Sequence, residues 1–170
     1  SRDFPFISGY IGHSLFVKQL REIFPSALFI RLRRDPLITA YSILKLRRNK
    51  SNSHFSVLPK ECLAFASSSI HRQVAAQVYF LNKRIDEAYD PERTLSVSYE
   101  GLCADPEKEL KRIISFCNYK GMSLDLKNNF PTLFDFNQVQ PDFDLDSKQL
   151  YTELKFMSSN AEYIEQTESL

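Results

Sequence analysis

FPSALFIRLRRDPLITAYS, running from Phe24 to Ser42, sets a strand, a sharp turn and a helix start in immediate succession. Ala27 to Leu32 (ALFIRL) is a short apolar run of the kind a buried strand needs, and it stops at Arg33-Arg34-Asp35-Pro36. The Asp35 carboxylate can cap a helix, and Pro36 suits the first helical position, where a missing N–H costs nothing. A helix is therefore predicted from Pro36 to about Arg48. Its apolar residues Leu37, Ile38, Ala40, Tyr41, Ile43, Leu44 and Leu46 run almost all the way round, which implies burial between other layers.

Upstream, a loop containing Gly9 and Gly12 leads to Ser14 to Ile23, where Leu15, Phe16, Leu20 and Ile23 have helical spacing, and Pro25 ends that segment. Downstream, Lys50 to Pro59 is polar and reads as a loop, and Lys60 to Tyr89 forms one long helix or two shorter ones before Asp90-Pro91. Thr94 to Tyr99 (TLSVSY) alternates Leu95, Val97 and Tyr99 with Thr94, Ser96 and Ser98, which is strand periodicity. Asp105-Pro106 then starts a helix that runs to about Cys117, with Leu110, Ile113, Ile114 and Cys117 on one side. Beyond Asn118 come an aromatic loop from Phe130 to Phe143, a final helix from Ser147 to about Ala161, and a frayed tail over 162–170. The order helix, strand, helix, helix, strand, helix predicts an α/β layer with parallel strands, and the length allows a single domain over 1–170. Two strands alone make a poor sheet.

Charge and composition narrow the function classes. The 22 Lys and Arg residues nearly cancel the 21 Asp and Glu, so an anion site has to be local. Cys62, Cys103 and Cys117 are too few and odd in number for a disulfide framework and read as free buried thiols. There is no C-x-x-C pair, and His13, His54 and His71 are well separated, so no metal is expected. With no apolar run of roughly 18 residues and no signal peptide, the sequence reads as a soluble protein without a membrane partner. A cytoplasmic location is the expectation, with the Golgi lumen as the alternative. The sequon Asn49-Lys50-Ser51 would matter only in a secretory compartment.

Ligands of open α/β sheets bind outside the strand carboxyl ends, which is where Arg34 emerges. Ser42 follows on the helix, about 9 Å along its axis from Pro36 at 1.5 Å per residue. A phosphate shared by Arg34 and Ser42 would lie beside the first turns, with Arg supplying charge and a fork of donors and Ser a short hydroxyl. The plainer reading is structural: strands often end in basic residues before a capped helix, and a helical serine usually bonds its own backbone.

The strand followed by Arg34-Asp35-Pro36, five residues and Ser42 resembles the 3′-phosphate motif of the sulfotransferases that use 3′-phosphoadenosine 5′-phosphosulfate. Phe24-Pro25-Ser26-Ala27 is similar to the lead-in of many of them. RTLSVSYEGLCADPEKELKRIISFC, from Arg93 to Cys117, resembles their second signature, a strand ending in Tyr-Glu before an Asp-Pro helix. The resemblance spans Ser8 to Met122. It implies a three-layer, P-loop-like parallel sheet flanked by helices, incomplete at the N-terminus. It also implies that Arg34 and Ser42 hold the 3′-phosphate, that Tyr99 lies near the adenine, and that Glu100 is a structural partner. His13, in Gly9-Tyr10-Ile11-Gly12-His13, falls where many of these enzymes place the base that deprotonates the acceptor, and imidazole changes charge near neutral pH. Tyr99 as a core aromatic and His13 as an exposed turn residue are the structural alternatives.

The family's loop for the 5′-phosphosulfate does not appear: there is no G-x-x-x-x-G-K-[ST], and the glycines are Gly9, Gly12, Gly101 and Gly121. The expected function is transfer of a sulfuryl group to a hydroxyl or amine of a small-molecule or glycan acceptor, by in-line displacement and without a metal. The missing loop would come from an N-terminal segment or another chain, and this polypeptide alone would be inactive. By their place in the chain Phe55, His71 and Tyr79 are candidates to line an acceptor pocket, with packing or solvent exposure as the plainer reading of each. One alternative is a noncatalytic nucleotide-binding or interaction domain that keeps Arg34 and Ser42. Another is nucleic-acid binding through Arg31, Arg33, Arg34, Lys45, Arg47, Arg48 and Lys50, which the near-neutral charge disfavours, so that a solvated basic face and no nucleic-acid partner are expected.

Overall fold

Strand pairing begins where the chain has room for it. The Ala27 N–H donates to the Phe24 carbonyl at 3.0 Å, closing the turn after the first helix, whereas the Phe29 N–H reaches across to the Arg93 carbonyl at 2.8 Å. Strand β1 therefore occupies Phe29–Arg33, later than the apolar run alone predicts. It pairs in parallel with β2, Thr94–Ser98, in a register that sets Phe29 beside Thr94, Leu32 beside Val97 and Arg33 beside Ser98. The computed structural model describes residues 6–49, 56–125, 134 and 144–160. The loop expected at 50–59 is thus described only from 56, and most of the aromatic loop at 130–143 and the tail at 162–170 lie outside the described residues.

The remaining elements are helical. A 3-10 turn, Ile11–Leu15, leads into α1, Val17–Ile23, so the predicted helix from Ser14 is broken at Phe16. Helix α2, Pro36–Asn49, starts as its sequence dictates: Asp35 Oδ1 accepts the Leu37 N–H at 2.8 Å and the Ile38 N–H at 3.0 Å. Lys60 to Tyr89 resolves into a 3-10 turn, Lys60–Phe65, and the long α3, Ile70–Glu87, capped by Ser69. After β2 come α4, Tyr99–Ala104, and α5, Pro106–Tyr119, the latter capped by Asp105 with Pro106 at its first position. Helix α6, Leu145–Ser159, closes the order and is capped by Asp144.

The protein is α/β and mostly helical, with a two-stranded parallel sheet among the described residues. A three-layer sheet is not shown by the described residues, among which only these two strands pair. Helices α4 and α5 pack on β2, while α2, α3 and α6 pack chiefly on one another. The core lies among those three helices: Ala40, Tyr41, Leu44, Val74, Val78 and Leu150 form one cluster. Cys62, Phe65, Ala75, Ala76, Phe80 and Met157 form a second. On the sheet, Val97 is 1% exposed, but its register partner Leu32 is 51% exposed and Ile30 is 42% exposed. Polar ties fix α6 in place: the Tyr41 hydroxyl donates to Asp144 at 2.6 Å, and the Arg72 Nε donates to Glu153 at 2.8 Å.

Candidate functional site: the carboxyl edge of the sheet

Because Arg33 and Ser98 are register partners, the next residues, Arg34 and Tyr99, leave the two strands side by side. The Arg34 guanidinium lies over the Tyr99 ring, 4.6 Å from its centroid, a cation–π contact that fixes the plane of the fork. The Arg34 Nε and Nη2 are buried and have no hydrogen-bond partner among the described residues. Donors of a charged group are seldom left this way in a folded protein, and an anion is the partner that satisfies both charge and geometry.

Tyr99 reaches this place by a turn that strand periodicity misses. The Ser98 Oγ accepts the Gly101 N–H at 3.2 Å, so the strand ends at Ser98 and Tyr99 opens α4. A hydrogen bond with Cys103, aided by partial burial, holds the Tyr99 phenol above its usual range, while the Arg34 charge acts in the opposite sense. The Ser98 hydroxyl also donates to Glu100 Oε2 at 3.0 Å, which gives Glu100 a structural partner, while Glu100 Oε1 is buried without one. The signal for this turn is Ser98 itself, a good cap residue three positions before a glycine.

Ser42 is half-buried on α2, and its hydroxyl has no partner among the described residues. His13 lies in the 3-10 turn that packs against α3 and α1. Its Nδ1 is 3.3 Å from Ser8 Oγ, and its ring meets the Tyr10 ring edge-on at 5.4 Å. A Cβ at Gly12 would come within 2.3 Å of the exposed Tyr10 ring, so a larger residue there would make that ring shift. No hydrogen bond, ion pair or ring contact among the described residues joins His13 or Ser42 to Arg34 or Tyr99.

The other candidates separate. His71 Nε2 is 2.8 Å from Asp146 Oδ1, and Asp146 also binds Arg48, so His71 ties α3 to α6. The Arg48 and His71 hydrogen bonds hold the Asp146 carboxyl below the usual range. Tyr79 lines a cleft of about 580 Å³ between the start of α2, α3 and α6; sequence reading did not find its neighbours there, Asn82, Lys83 and Tyr151. Phe55 lies outside the described residues. The basic set divides: Arg31 pairs with Asp86, Arg48 with Asp146, Arg47 is buried and bonded to Gln73, and Lys50 lies outside the described residues. Cys62, Cys103 and Cys117 are free and buried, and burial pushes the Cys117 thiol up. Among the described residues no group of three or more His, Cys, Asp or Glu could hold a metal, and no helix is long and apolar enough to cross a membrane.

The fold is α/β with an arginine at the carboxyl edge of a parallel strand pair, and residues 10–122 match the Sulfotransferase family, so the chain belongs to that family. Among curated proteins it is similar to the omega-hydroxy-beta-dihydromenaquinone-9 sulfotransferase Stf3 of Mycobacterium tuberculosis and that of Mycobacterium bovis. Each is 29% identical over 145 residues, covering 83% of this chain and 34% of the relative. The chain thus spans about a third of the length of these relatives. No solved structure matches it.

Proposed function

We propose that this chain holds the 3′-phosphate of 3′-phosphoadenosine 5′-phosphosulfate during sulfuryl transfer to an acceptor hydroxyl. The observation that carries the proposal is the Arg34 guanidinium, laid on Tyr99 with Nε and Nη2 buried and unpartnered among the described residues. A phosphate fits those donors, Ser42 adds a hydroxyl from α2, and Tyr99 offers its ring near the purine. When bound, the donor supplies an activated sulfuryl group and leaves as 3′-phosphoadenosine 5′-phosphate. No metal takes part.

His13 is the base in this reading. In the tautomer that donates its Nδ1–H to Ser8 Oγ, the Nε2 lone pair takes the acceptor proton as the oxygen attacks sulfur. A hydroxyl acceptor is favoured over an amine or a glycan because the relatives' name specifies an omega-hydroxy compound. Three free buried thiols fit a reducing compartment such as the cytoplasm. A second reading, a domain that binds nucleotide without transfer, draws on His13 making no contact with Arg34 or Tyr99.

Incubating the chain, joined to the family's loop for the 5′-phosphosulfate, with a radiolabelled donor and an apolar alcohol separates the two. Transfer that falls by about 100-fold or more in His13→Ala supports catalysis with His13 as base. Binding of 3′-phosphoadenosine 5′-phosphate without transfer assigns the chain donor binding alone. Neither binding nor transfer contradicts both readings.

A further inference from the structure

The cleft between the start of α2, the second half of α3 and the second half of α6 begins at Asp35, the residue after Arg34. Its volume of about 580 Å³ falls inside the roughly 300–1,000 Å³ range of small-molecule sites. Leu37, Val78 and Leu154 form an apolar wall, flanked by Tyr79 and Tyr151. The charges that line it already have partners. Asp35 Oδ1 accepts two N–H groups at the start of α2, and Asp86 pairs with Arg31. Lys83 and Glu87 lie 3.9 Å apart, and Lys155 sits over the Tyr151 ring. A charged ligand would have to break one of these pairs. Three neutral polar groups have no hydrogen-bond partner among the described residues: the Tyr151 hydroxyl on α6, and the Asn82 amide and the Tyr79 hydroxyl, which are three residues apart on one face of α3.

We propose that this cleft binds a neutral, mostly apolar alcohol, with its body between Tyr79 and Tyr151 against the aliphatic wall and its hydroxyl toward Asn82 and Tyr79. An apolar body removes the Leu37, Val78 and Leu154 surface from water, and the Asn82 amide can both donate to and accept from one hydroxyl. That the bound alcohol is the sulfuryl acceptor rests on the transferase reading above; binding at the cleft does not.

The probe is 2-naphthol, with naphthalene as the same body without the hydroxyl, titrated into the chain while the methyl NMR signals of Leu37, Val78 and Leu154 are followed. The expected result is saturable shifts at those methyls and not at Ile113 or Ile114 on α5, with naphthalene bound about tenfold more weakly. Asn82→Ala should remove most of that preference. Ser158→Phe, at an exposed position on the cleft edge, should weaken both ligands with the amide spectrum otherwise unchanged. Arg34→Ala should leave naphthol binding as it is, so failure of the donor site is read separately from failure of the cleft. No shifts at the three methyls, equal affinity for naphthol and naphthalene, or full affinity in Ser158→Phe would overturn the proposal.

Discussion

Arg34 keeps its orientation because Tyr99 gives the guanidinium a face to lie on, and the two meet only because the strands are in parallel register. The contact is worth about 1 kcal/mol, which is roughly fivefold in affinity. Tyr99→Phe, which keeps the ring, should therefore bind 3′-phosphoadenosine 5′-phosphate nearly as the parent does, and Tyr99→Leu should bind it about fivefold more weakly by calorimetry. Equal affinity in the Leu variant would remove Tyr99 from the site. At this scale the strand and the Asp-Pro cap were legible from residue types and spacing, while the roles of Arg34 and Ser42 were expected from the family resemblance. The exact stacking was not, because alternation carried Tyr99 into the strand while the Ser98 side chain had already turned the chain into α4.

Helix α6 shows how an element far along the chain is held by charges that earlier helices present. Asp146 bonds to Arg48 from α2 and to His71 from α3, and those bonds depress its carboxyl; the Tyr41 hydroxyl does the same for Asp144. A carboxyl lowered on folding contributes stability that is complete above its unfolded value of about 3.9 and is lost as the pH falls through the folded value. Thermal unfolding should thus be flat near neutrality and decline below about pH 4, and Asp146→Asn should make that decline shallower while lowering the midpoint at pH 7. An unchanged acid branch would mean that the pair adds no stability. Apolar burial weighs more: Leu150→Ala should cost about 2–5 kcal/mol, and Leu145→Ala, 71% exposed, within about 0.5 kcal/mol. Helices α2 and α5 were legible from their Asp-Pro starts, whereas α6 was expected from Ser147 and begins at Leu145, capped by Asp144. The division of Lys60 to Tyr89 was not, since the Ser69 cap differs little in type from Ser67 and Ser68.

For the whole molecule, the described core is a packed trio of helices beside a two-stranded sheet, rather than a sheet covered on both faces. Parallel strands usually have both faces covered, yet Ile30 and Leu32 stand partly in solvent. Leu32→Lys should accordingly change the unfolding free energy by no more than about 0.5 kcal/mol, and a larger loss would mean that this face is covered in solution. The parallel α/β order could be read from the sequence because turn signals separate its elements. The distribution of the core could not, because α2 is apolar nearly all round and periodicity does not say which neighbour it meets. The decisive measurement is calorimetric titration of the chain and of Arg34→Ala with 3′-phosphoadenosine 5′-phosphate and with adenosine 5′-monophosphate. The expected result is a clear preference for the bisphosphate in the parent chain that disappears in the variant with its fold intact. Equal affinity for the two nucleotides, or a preference that survives the loss of Arg34, would contradict the assignment of the sheet's carboxyl edge as the 3′-phosphate site.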